Sequence, residues 1–258
     1  MTSTPFETVA PDPFVYLDRL AGSGLGRFYK GRMLEELDVL PGQTVLDLGC
    51  GPGTDLGPLA EAVTATGAAI GVDHDQAAVE AARERTAGQD AVAVHLGDLH
   101  DLRLADHTAD RARTDRVLQH VADPVRALRE VHRVLRPGGR LVMGEPDWDT
   151  LAIDHPDSDL SRSYTRYVTD EVIRNARIGR QLPRLAAEVG FAVPKVVAVT
   201  PVFRDVQAAD EILGLERTTR RACTAGYFTE EETRRWLNHL AGGSFLAAMT
   251  FYIVVAES

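Results

Sequence analysis

Between residues 14 and 40 apolar side chains fall at helical spacing, at Phe14, Leu17, Leu20, Leu25, Phe28, Met33, Leu34 and Leu37, and the Gly22-Ser23-Gly24 break divides them into two helices. From residue 45 the pattern changes to short apolar runs separated by turns and longer amphipathic stretches. Val45 to Leu48, Ala68 to Val72, Ala91 to Leu96 and Arg140 to Gly144 read as strands, with a more polar one at Ala109 to Thr114. Helical patterns lie between them, as a parallel sheet with crossover helices requires. Val125 to Leu135 reads as an amphipathic helix ended by Pro137-Gly138-Gly139, because proline cannot continue it and glycine supplies the turn into the next strand. Residues 150 to 180 read as a mostly helical insert. Beyond it come a helix at Leu182 to Val189, a strand at Val196 to Phe203, helices at 207 to 220 and 229 to 240, and a last strand at Phe251 to Ala256. The fold class is doubly wound, Rossmann-like α/β, and the chain reads as one domain over 1 to 258.

The first strand runs into Asp47-Leu48-Gly49-Cys50-Gly51-Pro52-Gly53. Glycine at 49, 51 and 53 permits a tight turn and close approach of backbone to a ligand. The spacing is G-x-G-x-G, whereas the dinucleotide fingerprint is G-x-G-x-x-G, and a carboxylate stands at the entry. Asp47 would repel a pyrophosphate and attract a cation, such as the ammonium and sulfonium of S-adenosylmethionine. The second strand ends at Asp73-His74-Asp75, about twenty residues on, where an acid accepts ribose hydroxyls in this type of fold. Capping of the next helix then falls to Asp75.

These segments resemble the first motifs of class I S-adenosylmethionine-dependent methyltransferases, strongly over Val45 to Gly144 and by element order beyond it. Leu135-Arg136-Pro137-Gly138-Gly139-Arg140-Leu141 is similar to that family's entry into strand five. The resemblance implies a seven-stranded sheet whose last strand is antiparallel and sits beside the fifth. It also implies an N-terminal helical lid (1 to 40), a cofactor core (41 to 146), a helical insert after strand five (147 to 180) and a C-terminal part of the core (181 to 258). By resemblance Asp98 accepts from the adenine amino group while Leu99 donates from its backbone. Asp115-Arg116-Val117-Leu118-Gln119-His120-Val121 borders the methionine moiety and the acceptor. Cofactor contacts are expected from Arg32, Asp47, Gly49, Gly51, Gly53, Asp73, His74, Asp98, Leu99 and Thr114. Arg113 either points to the site or lies on an exposed edge.

Methyl transfer needs alignment of the acceptor and exclusion of water, with a base only where the acceptor holds a proton at attack. His120 and Asp147 are the candidates for that role. Tyr16, Trp148, His155, Tyr164 and Tyr167 are expected to bind the acceptor, Trp148 by stacking. Phe14, Phe28 and Tyr29 would join Tyr16 in the lid. The acids between Glu145 and Asp159 read as a solvated loop, and no metal is expected.

Composition narrows the partner. With 258 residues and a formal charge of -10, the chain lacks the clustered cations of a nucleic-acid grip. Its two cysteines make no disulfide framework, and no signal-peptide pattern or membrane-spanning run is seen. A cytoplasmic monomer or homodimer acting on a small molecule is the expectation, without nucleic acid or membrane. The resemblance implies S-adenosylmethionine as cofactor, S-adenosylhomocysteine as product, and a small aromatic or heteroaromatic acceptor methylated at carbon (an indole ring included), nitrogen or oxygen. A relative that keeps the cofactor for a non-methylating step such as cyclisation is the alternative. An NAD-dependent oxidoreductase is opposed by the turn spacing and Asp47.

Overall fold

The computed structural model describes residues 5–7, 9 and 11–258, so residues 1–4, 8 and 10 of the expected lid segment lie outside the described residues. Two helices, α1 (Pro13–Gly22) and α2 (Gly24–Leu37), meet at Ser23. Asp12 caps the first by accepting from the Phe14 and Val15 amides, with Pro13 at the first helical position. Ser23 ends that helix through its own N–H to Leu20 and starts the next by accepting from the Gly26 amide. One residue therefore serves as stop and start.

The alternating segment folds as expected into β1 (Thr44–Leu48), α3 (Leu56–Val63), β2 (Ala68–Asp73), α4 (Gln76–Arg85), β3 (Val92–Leu96), β4 (Ala109–Asp115), α5 (Pro124–Val134) and β5 (Leu135–Ile153). After it come α6 (Ser158–Tyr167) with a π-helical turn at Val168–Val172, α7 (Ile178–Glu188), β6 (Ala192–Val199), β7 (Val202–Phe203), α8 (Val206–Leu213), α9 (Leu215–Thr224), α10 (Glu230–Ala241) and β8 (Ala247–Glu257). The sheet order is β3-β2-β1-β4-β5-β8-β6, with the two-residue β7 pairing with β8 off that path. The first five strands pair parallel with one another, and β8 runs antiparallel between β5 and β6. This is the doubly wound sheet with an inserted antiparallel last strand.

Alternation along the strands splits the core between two faces. Leu46, Leu48, Leu141 and Met143 pack with α5 and α7. Val45, Ala69, Val142 and Phe251 pack with α2 and α3. Chain order reverses at β1, which lies between β2 and β4, so the crevice at its carboxyl end is where an open α/β sheet binds ligands.

Four segments differ from the sequence reading. The strand expected from Arg140 begins at Leu135, which pairs with Ala109 ahead of an irregularity, so Pro137-Gly138-Gly139 lies within the strand. The stretch after Gly144 continues as strand to Ile153, because Glu145, Pro146 and Asp147 stay paired with Tyr252, Phe251 and Thr250, and Ala152 and Ile153 rejoin the ladder after a bulge. The helices of the insert begin only at Ser158. The helix expected over 207 to 220 is two helices, since Gly214 adopts a left-handed conformation (φ 62°, ψ 48°) and ends the first. The strand expected over Val196 to Phe203 is also two, broken between Val199 and Val202. The extended β5 and β8 carry a separate apolar cluster in which Trp148, Leu151 and Ile153 meet Tyr164, Tyr167 and Trp236.

Candidate active site

A cavity of about 640 Å³ opens at the carboxyl ends of β1 to β4, walled on one side by α1. The turn after β1 forms its base. Gly49, Gly51 and Gly53 have φ of 74°, 53° and 78°, a region that costs other residues strain. At Gly49 a Cβ would come within 2.4 Å of Val117 Cγ2, so the turn closes on the β4 loop only without a side chain.

Asp73 ties the turn to β2. Its Oδ2 accepts from the Gly51 amide at 2.8 Å and its Oδ1 from the Asp75 amide at 3.0 Å. Asp75 caps α4 by accepting from the Ala77 amide, as expected. His74 is exposed beside Asp73, its Nδ1 3.3 Å from the carboxylate. Asp98 follows β3 and accepts from both the backbone amide (2.9 Å) and Nδ1 (2.7 Å) of His100. Those bonds, the backbone one foremost, hold its carboxyl below the usual range. Asp47, Asp73, Asp98 and Leu99 all line the cavity.

Beneath the cofactor end lies a buried charge cluster. Arg113 Nη2 is 3.1 Å from Asp55 and 3.0 Å from Asp115, and its Nε is 3.5 Å from Asp47. Lys30, from α2, bridges Asp55 and Asp115 at 2.6 Å each. Burial works against the charge on Arg113, and Asp55, Asp47 and Asp115 more than offset it, so its pKa is raised. Burial also raises the Asp47 carboxyl, with the Arg113 charge working against it. The open question about Arg113 is thus answered, since it is buried against the site's acids. Lys30, Asp55 and Tyr29, whose buried hydroxyl has no partner among the described residues, line the cavity as well.

The loop after β4 is the second wall. Arg116 takes a left-handed φ of 60°, and its amide donates to Gly144 O. Glu145 Oε1 accepts from the Val117 and Leu118 amides at 2.8 and 2.6 Å, and Asn175 Nδ2 donates to the carbonyls of Leu118 and Val121. Trp148 Nε1 donates to Gln119 Oε1 at 2.7 Å. His120 lines the cavity with an exposed ring. Partial desolvation, then the Arg116 charge, lowers its pKa, so the imidazole is neutral at pH 7 and able to accept a proton.

Burial pushes the Glu145 carboxyl up to about 8, against the two backbone donors that favour its ionised form. Between its ordinary value near 4.5 and about 8 the folded protein holds a proton that the unfolded chain releases, so this group's stabilisation falls as pH rises through that window. Glu145→Gln is expected to flatten the fall in stability between pH 5 and pH 8.5 by on the order of 2 kcal/mol, read from urea midpoints. Parallel profiles for variant and wild type would contradict it.

Other sequence candidates lie away from this cavity. Arg32 pairs with Glu35 and Glu36 on α2. Thr114 is fully buried in β4, and Gly53 packs its backbone toward Ala82. Asp147 is buried in a bidentate pair with Arg180 of α7. Trp148, Tyr164 and Tyr167 are buried in the cluster of the extended strands, and Tyr164 donates to Leu213 O. His155 packs against His239 and Trp236 and borders a separate hollow. The wall facing the glycine turn comes instead from Pro13, Phe14, Tyr16 and Leu17 of α1, while Phe28 is exposed outside it. Among the described residues no group of His, Cys, Asp or Glu gathers to hold a metal, and no helix is long and apolar enough to cross a membrane.

The side chains present fit one cofactor: acids at three successive strand ends and a turn that a Cβ would fill. Fold and site together define a class I S-adenosylmethionine-dependent methyltransferase. The chain belongs to the methyltransferase-domain family, whose model matches residues 40–190. Over 253 residues, 98% of this chain and 73% of the relative, it is 60% identical to an uncharacterized 37.1 kDa protein in transposon TN4556 of Streptomyces fradiae. Over 127 residues it is 32% identical to the demethylmenaquinone methyltransferase of Staphylococcus aureus, a match that takes in 49% of this chain and about half (53%) of that enzyme. A SAM-dependent methyltransferase from Aquifex aeolicus shares the fold, with a TM-score of 0.57 at 18% identity over 93% of this chain and 98% of that one.

Proposed function

We propose that this protein transfers a methyl group from S-adenosylmethionine to a dissolved small molecule with an aromatic or heteroaromatic body. The observation that carries the reading is the convergence of Asp47, Asp73 and Asp98 on one cavity whose facing wall is largely apolar. The relative named for methylating demethylmenaquinone supports an aromatic acceptor.

When bound, the cofactor supplies an electrophilic methyl carbon: its bond to sulfur breaks, the electron pair stays on sulfur, and a bond from the acceptor atom forms. Asp47 holds the ammonium end, Asp73 accepts from the ribose hydroxyls, and Asp98 and the Leu99 amide hold the adenine edge. Pro13, Phe14, Tyr16 and Leu17 keep water from the reacting centre. His120 takes up the proton of an acceptor that carries one at attack. The acidic surface favours a small-molecule partner over nucleic acid, and cytoplasmic action as a monomer or homodimer completes the reading.

Calorimetry with S-adenosylhomocysteine tests it. Saturable one-to-one binding in the micromolar range, with none of NADH, is the expected result. Absence of binding, or a preference for NADH, would sink the proposal.

A further inference from the structure

The ionisable groups around the cavity are unevenly distributed. Asp47, Asp73, Asp75 and Asp98 lie on the flank formed by β1, β2 and β3, and Lys30 is already held between Asp55 and Asp115. Arg116 lies on the other flank, past the end of β4. Among the described residues no carboxylate pairs with it. Its one side-chain hydrogen bond goes from Nη2 to Tyr16 Oη at 2.7 Å, with the guanidinium carbon 5.6 Å from that ring's centre. A half-buried guanidinium is costly to leave without an anion, and an arginine presents a planar fork that matches a carboxylate.

The backbone points the same way. Arg116 has a left-handed φ of 60°, which costs a non-glycine residue of this size and persists only where its surroundings enforce it. The enforcement is visible: Gly144 O takes the Arg116 amide, Glu145 takes the next two amides, and Asn175 holds the carbonyls of Leu118 and Val121. The loop is thereby fixed with the guanidinium in the cavity wall, beside His120 and the apolar side chains of Phe14, Leu17, Val117 and Val121. A fixed fork beside an apolar surface suits a planar anion attached to an apolar body.

We propose that the acceptor is a carboxylic acid whose carboxylate docks on Arg116 while its apolar body lies against α1 and the β4 loop. This rests on the methyltransferase reading above and narrows its substrate class. Arg116 acts as a specificity-determining residue, selecting a charged acceptor over its neutral isostere. The rival role, a purely structural tie between the β4 loop and α1 through Tyr16, predicts no such selection.

The test uses the full chain saturated with S-adenosylhomocysteine and two probes of equal shape, 2-naphthoate and 2-naphthamide, titrated by calorimetry or ligand-observed NMR. Naphthoate is expected to bind about tenfold more tightly than the amide. In Arg116→Gln that preference should fall to threefold or less while S-adenosylhomocysteine binding stays within threefold of wild type, which also reports that the variant is folded. Arg116→Lys, which keeps the charge and loses the fork, should retain part of the preference. The inference is overturned if naphthoate shows no binding, if the wild-type preference is threefold or less, if Arg116→Gln keeps the preference, or if that variant loses more than threefold in S-adenosylhomocysteine affinity, which would assign the guanidinium to the cofactor. Failure of the wild type to bind S-adenosylhomocysteine is a different outcome, since it overturns the methyltransferase reading itself.

Discussion

Asp73→Ala is expected to weaken S-adenosylhomocysteine binding by about a hundredfold or more, measured by calorimetry. Each Asp73 oxygen already accepts one backbone amide, from Gly51 and from Asp75, and retains a second lone-pair direction toward the cavity it lines. Two ribose hydroxyls meeting those directions would make two charge-assisted bonds, each of about 1.5–3 kcal/mol, and about 1.4 kcal/mol is a factor of ten. Losing both gives the hundredfold. The alanine variant also frees the Gly51 amide, so the turn that must approach the cofactor loses its tie to β2. Asp73→Asn would fare little better, because its amide nitrogen would face the Gly51 or Asp75 N–H, donor against donor. A dissociation constant within threefold of wild type, in a variant with unchanged melting, would remove Asp73 from the cofactor site.

What the sequence discloses about this site is what local geometry sets. Asp47, the glycine turn and Asp73 are each read from a strand end and the few residues after it, and strand ends follow from apolar runs and turns, while Asp98 is marked by the family resemblance. The charge cluster is of another kind. Lys30 meets Asp115 across 85 positions and Arg113 meets Asp55 across 58, and neither pairing exists until β1 and β4 are neighbours and α2 packs over them. In the sequence Arg113 is one of several charges in a strand more polar than its neighbours, so the pattern leaves open whether it faces the site or an exposed edge. Aromatic residues give less. Trp148, Tyr164 and Tyr167 suit an acceptor pocket by chemistry, but equally suit a core, and the deciding partners are distant in sequence: Gln119 for the Trp148 indole, Trp236 for Tyr164 and Tyr227 for Tyr167. Gly214 is similar: a single glycine within a helical pattern is tolerated or terminal depending on tertiary packing, and here it turns the chain. The resemblance marks Asp115 to Val121 as bordering the site, and the loop lines the cavity, but the groups that fix it, Glu145 and Asn175, act on backbone amides and carbonyls, for which side-chain patterns carry no mark.

Arg113→Leu is expected to destabilise the fold by about 3–5 kcal/mol at pH 7, the cost of removing one partner from a buried ion cluster. Leucine fills much of the same space, so the loss is electrostatic rather than a cavity effect. Among the described residues Lys30 would then be the one cation in ion-pair contact with the acids of the cluster, reaching Asp55 and Asp115 but not Asp47. With Arg113 gone, burial raises the Asp47 and Asp55 carboxyls above their unfolded values near 3.9, so the folded variant binds protons that its unfolded chain does not. Stability must rise as pH falls wherever the folded state binds more protons. The deficit relative to wild type is therefore expected to narrow by at least about 1 kcal/mol between pH 7 and pH 5, as the acids take up the protons that replace the guanidinium's charge. Urea unfolding of both proteins at the two pH values measures this. A deficit below about 1 kcal/mol at pH 7, or one of equal size at pH 5, would show that Arg113 does not neutralise these acids. Asp55→Asn in the same background sharpens the attribution. It removes one of the uncompensated charges and should recover part of the lost stability at pH 7, whereas in the wild type the same change breaks the Arg113 and Lys30 contacts and should cost stability.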